Sequence, residues 1–279
     1  MTGPTAAGSP REPVVDQMVE VWASLVTACQ RVGADGWESA TTCPGWTVRD
    51  HLSHLVGIER MLLGDPPPPP PPEFGPHVTN EFGRLNEAWV DARRTVPGDE
   101  VLAELVGVTD RRITALAAMG RADFDRVGWS PLGERPYREF MASRIVDTWA
   151  HEQDIRDALS RPGGRNGAGE TIVLDRCVET MAYVVGKRVA PPDGTSVLFL
   201  VTGVLARRAL VAVAGGRASL VAVPQGTGAT VTLTLDQGAF WRLGFGRADP
   251  SALMASGEVQ LEGHVALGVQ VLESMPFMT

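Results

Sequence analysis

The chain has 279 residues, 44% of them hydrophobic, with a formal net charge of −8. That length suggests two ordinary domains or one large one with ample core, and the acidic balance argues against a nucleic-acid partner, which would favour a basic face. No run of about 18 apolar residues is unbroken, which excludes a transmembrane helix. The opening MTGPTAAGSPREP lacks the apolar segment of a signal peptide, so a soluble cytoplasmic protein with no membrane partner is expected.

The segment 1–13 reads as a disordered lead. Val14 to Val32 places Val14, Met18, Val21, Trp22, Leu25, Val26 and Cys29 at spacings of three and four, the signature of an amphipathic helix. GWESATTCPGW is irregular, with Pro44 and Gly45 forcing a turn. A helix then runs from Thr47 to Leu63: Thr47 is a suitable N-cap, Asp50 stands three residues on in a capping-box pattern, and Gly64 stops it. Pro66 to Pro72 is a run of seven prolines, which admits only polyproline II and reads as a stiff connector within 66–77. Helices are expected at Asn80–Thr95 and Asp99–Met119, a loop at Trp129–Tyr137, and helices at Glu139–Leu159 and Gly169–Val189. Arg161-Pro-Gly-Gly ends the first of that last pair.

At Pro191-Pro192-Asp193-Gly194 the texture changes. Short β-rich runs follow at Val197–Val201, Leu210–Val213, Ala218–Val223 and Ala229–Leu235, separated by Gly-rich turns. A short helix over Asp236–Leu243, a strand over Gly257–Leu261 and a helix over His264–Met275 complete the chain. The fold class is therefore α+β, with a helical domain over 14–190 and a small α+β domain over 191–279.

Two stretches carry metal-ligating residue types. In RIVDTWAHEQDIRDA, Asp147 and His151 stand four apart, on one face of a helix. In TVRDHLSHL, His51 and His54 stand three apart and flank the core face. Zinc accepts imidazole nitrogen and carboxylate oxygen, and a catalytic site uses three protein ligands and keeps a position open. Periodicity alone does not choose between His51 and His54 as the third ligand. Asp154 lies near the face of Asp147 and His151, where it could hold a histidine or pair with Arg156 or Arg49. Glu152 is turned away. Cys29 and Cys177 sit on apolar faces. Cys43 stands in a packed turn with no obvious base beside it, and three widely spaced cysteines fit neither a disulfide framework nor a cysteine zinc site.

CPGWTVRDHLSHLVGIE (Cys43–Glu59) together with DTWAHEQDIRDAL (Asp147–Leu159) resembles the mycothiol-dependent maleylpyruvate isomerase family, one of the DinB-like metal-binding bundles. FWRLGFGRADP and GEVQLEGHVALGVQVLESM resemble that family's small second domain, which is similar to sterol carrier proteins. The resemblance implies a DinB-like up-down-down-up four-helix bundle and a His, carboxylate, His zinc site. The histidine before Leu in a TVRDxxxHL pattern falls on His54, and the carboxylate and second histidine fall on Asp147 and His151. The best-known form of the motif has Glu where this chain has Asp147, so an ion would sit closer to this helix or bind less tightly.

The resemblance further implies zinc (or another divalent metal) and mycothiol as cofactors. Mycothiol would be activated as a zinc-bound thiolate that adds to an electrophilic small molecule, in an isomerase or S-transferase reaction. Asp154 would support that chemistry. From the second domain Arg247 would hold a substrate carboxylate, with Arg242 the other candidate in that stretch, toward the cofactor. The partners implied are the electrophile and a low-molecular-weight thiol, acting on a monomer or homodimer. The alternative is a non-catalytic metal-binding module that binds or senses a small molecule.

Overall fold

In the computed structural model, residues 11–130, 133–224, 226 and 228–277 are described, and the chain divides into two compact units, Met1–Gly169 and Glu170–Thr279. Residues 1–10 of the expected lead lie outside the described residues.

The first unit is built on four long helices: α1 (Pro13–Cys29), α3 (Val48–Leu62), α5 (Gly98–Ala117) and α7 (Tyr137–Ala158), with α2 (Ala34–Trp37), α4 (Glu81–Asp91) and α6 (Arg121–Asp125) in the connections. Pro13 opens α1 where its missing N–H costs nothing. Asp50 reaches back to the Thr47 backbone N–H at 2.9 Å, closing the start of α3. Asn80 caps α4 by accepting from the Gly83 N–H. Helix α1 packs on α5 and α7, and α3 packs on the same two, so the four helices close into a ring in which α3 and α7 are neighbours. One part of that ring is apolar: Leu25, Cys29, Trp37, Val48, Leu52, Leu55, Val56, Val101, Leu105, Val108 and Ile155 form a continuous cluster. The expected loop at Trp129–Tyr137 begins just after β1 (Val127–Gly128) and holds its antiparallel partner β2 (Arg135–Pro136) and the first residue of α7; residues 131 and 132 of that loop lie outside the described residues.

The second unit holds a five-stranded sheet in the order β5-β4-β3-β6-β7, with β3 (Ser196–Thr202), β4 (Arg207–Ala214), β5 (Arg217–Val221), β6 (Val231–Asp236) and β7 (Val259–Gly263). Only β3 and β6 run parallel; the other neighbours are antiparallel. The helices of this unit are α8 (Ala168–Tyr183), α9 (Gln237–Gly244), α10 (Pro250–Ser256) and α11 (Val265–Ser274). Val231, Leu233 and Leu235 alternate inward along β6, and α9 and α11 pack against that strand. The helix expected over Gly169–Val189 ends earlier as an α-helix. From Val184 to Val189 it widens to a π-helical turn, closed by Ala190 in the left-handed region at φ 49°. Helix α10, capped by Asp249 through Ser251 and Ala252 N–H, was not expected from periodicity. Its Asp-Pro start is a capping signal, but seven residues are too few to show a repeat. Among the described residues no helix is long and apolar enough to cross a membrane.

Candidate metal centre at the seam of two helices

The seam between α3 and α7 is polar where a bundle core is normally apolar. Asp50, His51, Ser53, His54 and Glu59 are buried on α3; Arg144, Thr148, Glu152, Gln153, Asp154 and Arg156 are buried on α7. Buried polar groups are costly unless paired, and nearly all of these have a hydrogen-bond partner, Glu59 with Arg144 across the two helices among them.

Asp147 is the centre of the first group. His54 Nε2 lies 3.3 Å from its Oδ2, and His151 Nε2 lies 3.5 Å from its Oδ1. One donor atom from each of His54, Asp147 and His151 falls within 4.8 Å of the others. His54 turns Nε2 toward Asp147, while its buried Nδ1 has no hydrogen-bond partner among the described residues. Asp147 is 26% exposed and His151 12%, so the group is reached from the Asp147 side. The donor set and its spacing fit a divalent ion: bonds of about 2.0–2.1 Å at tetrahedral angles put ligand atoms roughly 3.3 Å apart.

Behind Asp147 stands a buried ion-pair chain. Arg144 Nη1 donates to Asp147 Oδ2 at 2.6 Å, and its Nε and Nη2 donate to Glu59 Oε1 at 3.1 and 3.0 Å. Arg112 Nε donates to the other Glu59 oxygen at 2.9 Å. These contacts hold the carboxylate in one orientation. They also set its charge: burial alone would raise the Asp147 carboxyl, but Arg144, and then His54 and His151, hold it well below the usual carboxylate range. Burial pushes the His54 imidazole down despite Asp147. In His151 burial acts the same way, and Asp147 followed by Asp154 overrides it and holds this ring well above the ordinary value.

A second group lies on the other side of the His151 ring. His51 Nδ1 is 2.8 Å from His151 Nδ1, and Asp154 Oδ2 is 3.7 Å from the same nitrogen. Cys43 Sγ donates to Asp154 Oδ2 at 3.4 Å, and Thr42 donates to Asp154 Oδ1 at 2.6 Å. Trp46 forms a wall, with its ring centroid 5.6, 5.1 and 5.8 Å from those of His51, His54 and His151. Its indole N–H donates to Glu87 at 3.0 Å.

Helices α3 and α7 thus bring His54, Asp147, His151 and Asp154 together. Arg242 and Arg247 belong to the second unit, where Arg242 pairs with Glu258 at 2.7 Å and Arg247 donates to the Phe245 carbonyl at 2.9 Å. Glu152 is occupied by Ser24 and Arg156, and Arg49 pairs with Glu38. Asp154 therefore takes Thr42 and Cys43 rather than either arginine as its partners. Cys43, read from sequence as having no base beside it, has the Asp154 carboxylate. Sequence reading also passed over the Glu59, Arg144 and Arg112 chain. Glu59 falls eight residues after His51 on α3, in line with the polar face, which was the available signal.

Residues 18–156 match the model of the mycothiol maleylpyruvate isomerase N-terminal domain, and residues 186–274 match that of the SCP-2 sterol transfer family. Uncharacterized proteins of two Mycobacterium tuberculosis strains, CDC 1551 / Oshkosh and ATCC 25618 / H37Rv, are 30% identical over 139 residues, 45% of this chain and 48% of each relative. The match thus spans about half the length of these curated relatives. A crystal structure of the mycothiol-dependent maleylpyruvate isomerase superposes with a TM-score of 0.55 at 14% identity, over 93% of this chain and 96% of that one, a likeness of fold. With its two segments matched in this order, the chain belongs to the mycothiol-dependent maleylpyruvate isomerase family, carrying that family's N-terminal domain followed by an SCP-2 domain.

Proposed function

We propose that His54, Asp147 and His151 hold a divalent metal ion, zinc by preference, in an enzyme that uses a low-molecular-weight thiol such as mycothiol on an electrophilic small molecule. The observation that supports this most is the convergence of two imidazole Nε2 atoms on the two oxygens of one carboxylate, at 3.3 and 3.5 Å. An ion held there supplies Lewis acidity and favours the deprotonated form of a thiol.

The protein's own groups orient and exclude. Arg144, held by Glu59, keeps Asp147 turned toward the two histidines. Trp46 covers the three imidazoles and keeps water from that side. Asp154 faces His151 Nδ1 and steadies the ring. The partial exposure of Asp147 leaves one side open to a ligand. The isomerase or S-transferase reaction, the role of Arg247 toward a substrate carboxylate and that of Arg242 toward the cofactor rest on family membership.

The experiment is elemental analysis of the purified chain, combined with a mycothiol-dependent assay on maleylpyruvate and on a generic electrophile. Bound metal and thiol-dependent turnover are expected, and His54→Ala is expected to lose the turnover and one equivalent of metal. A chain that binds no divalent metal and is indifferent to His54→Ala overturns the reading; metal without thiol-dependent turnover leaves a binding module instead.

A further inference from the structure

We infer that this chain carries a second metal position, formed by Cys43, His51, His151 Nδ1 and Asp154, on the face of the His151 ring opposite Asp147. It suits a divalent ion that accepts a thiolate, such as zinc.

The four residues each offer a ligand atom, and those atoms all lie within 4.8 Å of one another. One sulfur, two imidazole nitrogens and one carboxylate oxygen make a complete tetrahedral donor set for zinc. Bonds of about 2.0–2.3 Å at tetrahedral angles require ligand atoms roughly 3.3–3.6 Å apart. The Sγ to Oδ2 spacing is 3.4 Å and the Oδ2 to Nδ1 spacing is 3.7 Å. The His51 and His151 nitrogens, at 2.8 Å, share a hydrogen bond and must part by roughly 0.5 Å to admit an ion.

Outer contacts already orient the ligands. Thr42 holds Asp154 Oδ1 and leaves Oδ2 toward the cluster. The Thr41 hydroxyl donates to the Trp46 carbonyl at 3.0 Å, so its oxygen accepts from His51 Nε2 at 2.8 Å. That assigns the proton of neutral His51 to Nε2 and leaves the lone pair on Nδ1, which faces His151. A ligating histidine whose other nitrogen is anchored, and a ligating carboxylate whose other oxygen is anchored, are what a metal site needs around its ligands. His151 then faces Asp147 with Nε2 and this second position with Nδ1; an ion here displaces the Nδ1 proton that His151 donates to His51 and the Cys43 thiol proton, both released to solvent, so that with both positions filled His151 bridges them as imidazolate.

The test uses cobalt(II) as the probe on the metal-stripped full chain. Cys29 and Cys177 are fully buried, so a thiolate-to-cobalt charge-transfer band in the near ultraviolet reports Cys43. Wild type is expected to show that band at saturation. Cys43→Ser is expected to abolish it, with one equivalent of cobalt fewer per chain, and His51→Gln to weaken cobalt binding at this position at least tenfold. His54→Ala is expected to keep the band while losing the other equivalent. That variant separates this position from the one in the proposed function: a band without any His54-dependent equivalent sinks that reading and leaves this one standing. Absence of the band from wild type, or its survival in Cys43→Ser, overturns the second position. The wild-type spectrum needs no variant to fold, and near-ultraviolet circular dichroism checks those that are made.

Discussion

Replacing Glu59 by Gln isolates the buried charge chain behind the candidate ligands. Glu59 is completely buried and is the shared anion of Arg112 and Arg144, both nearly buried themselves. Gln keeps the volume and one acceptor oxygen. Its amide group replaces the other oxygen and turns N–H toward a guanidinium N–H. Arg144 keeps Asp147, but Arg112 keeps only Tyr137 Oη at 3.2 Å and a weak sulfur contact with Met141. Removing one partner of a buried ion pair costs about 3–5 kcal/mol. With a urea m-value of about 2 kcal/mol/M, that is a fall of roughly 2 M in the midpoint for the helical unit. Tryptophan fluorescence and far-ultraviolet circular dichroism read it. The triple variant with Met at Glu59, Arg112 and Arg144 removes the charges together and is expected to recover most of the loss. Below its transition, Glu59→Gln is further expected to bind zinc about 10–100-fold more weakly, because a neutral amide anchors the arginine of Asp147 less firmly than the carboxylate does. A Glu59→Gln midpoint equal to wild type, within the roughly 0.5 kcal/mol expected of a surface change, would refute the argument.

Two other outcomes follow from single contacts. Gly57→Ala puts a methyl group 2.3 Å from Trp89 Cγ and 2.4 Å from Trp89 Cβ, so calorimetry should record a loss of about 1–3 kcal/mol; an unchanged melting temperature contradicts the packing. Glu104, hydrogen-bonded by Arg93 and then by Arg60, has its carboxyl held below the ordinary value; its stabilisation is therefore present in full above the unfolded pKa of about 4.3 and is lost as pH falls through the lower folded value. Glu104→Gln should lower stability near neutral pH and converge with wild type in acid, and denaturation curves that stay equally far apart at both ends refute that sign.

The long helices were legible because apolar residues recur at spacings of three and four along each, although α3 is buried on every side from Asp50 to Glu59. Thr47 with Asp50 and Arg161-Pro-Gly-Gly marked two boundaries that the structure keeps within a residue or three. The site was half legible for the same reason: the spacing of Asp147 and His151 on one helix is local, and so is that of His51 and His54. What stayed hidden was set by the partner helix. Both His51 and His54 are buried, because polar α7 rather than an apolar surface covers that side of α3. No spacing within α3 could show that His51 would meet His151, nor that Cys43, in a turn, would meet Asp154 across 111 positions of sequence. The π-helical end of α8 was equally invisible, since its Val184 and Val185 continue the apolar pattern of an ordinary helix.

With Asp rather than Glu at position 147, an ion is expected to sit closer to α7 or to bind less tightly, and the spacing around Asp147 suits the first alternative. Asp147 already stands 3.3 Å from His54 Nε2 and 3.5 Å from His151 Nε2, close to the roughly 3.3 Å that tetrahedral bonds of about 2.0–2.1 Å demand. Asp147→Glu adds one methylene, about 1.3 Å of reach along the side chain, in a seam where Arg144 already touches Oδ2 at 2.6 Å. The longer carboxylate must fold back or displace Arg144 from Glu59, and either change spoils the spacing. Asp147→Glu is therefore expected to weaken zinc binding about tenfold or more, as loss of an orienting contact does, and Asp147→Asn to weaken it at least as much by removing the ligand's charge. Competition with a chromophoric chelator measures both. Zinc bound as tightly by Asp147→Glu as by wild type would show that the seam is not dimensioned for aspartate, and that the spacing seen around Asp147 is a property of the hydrogen bonds there rather than of a metal position.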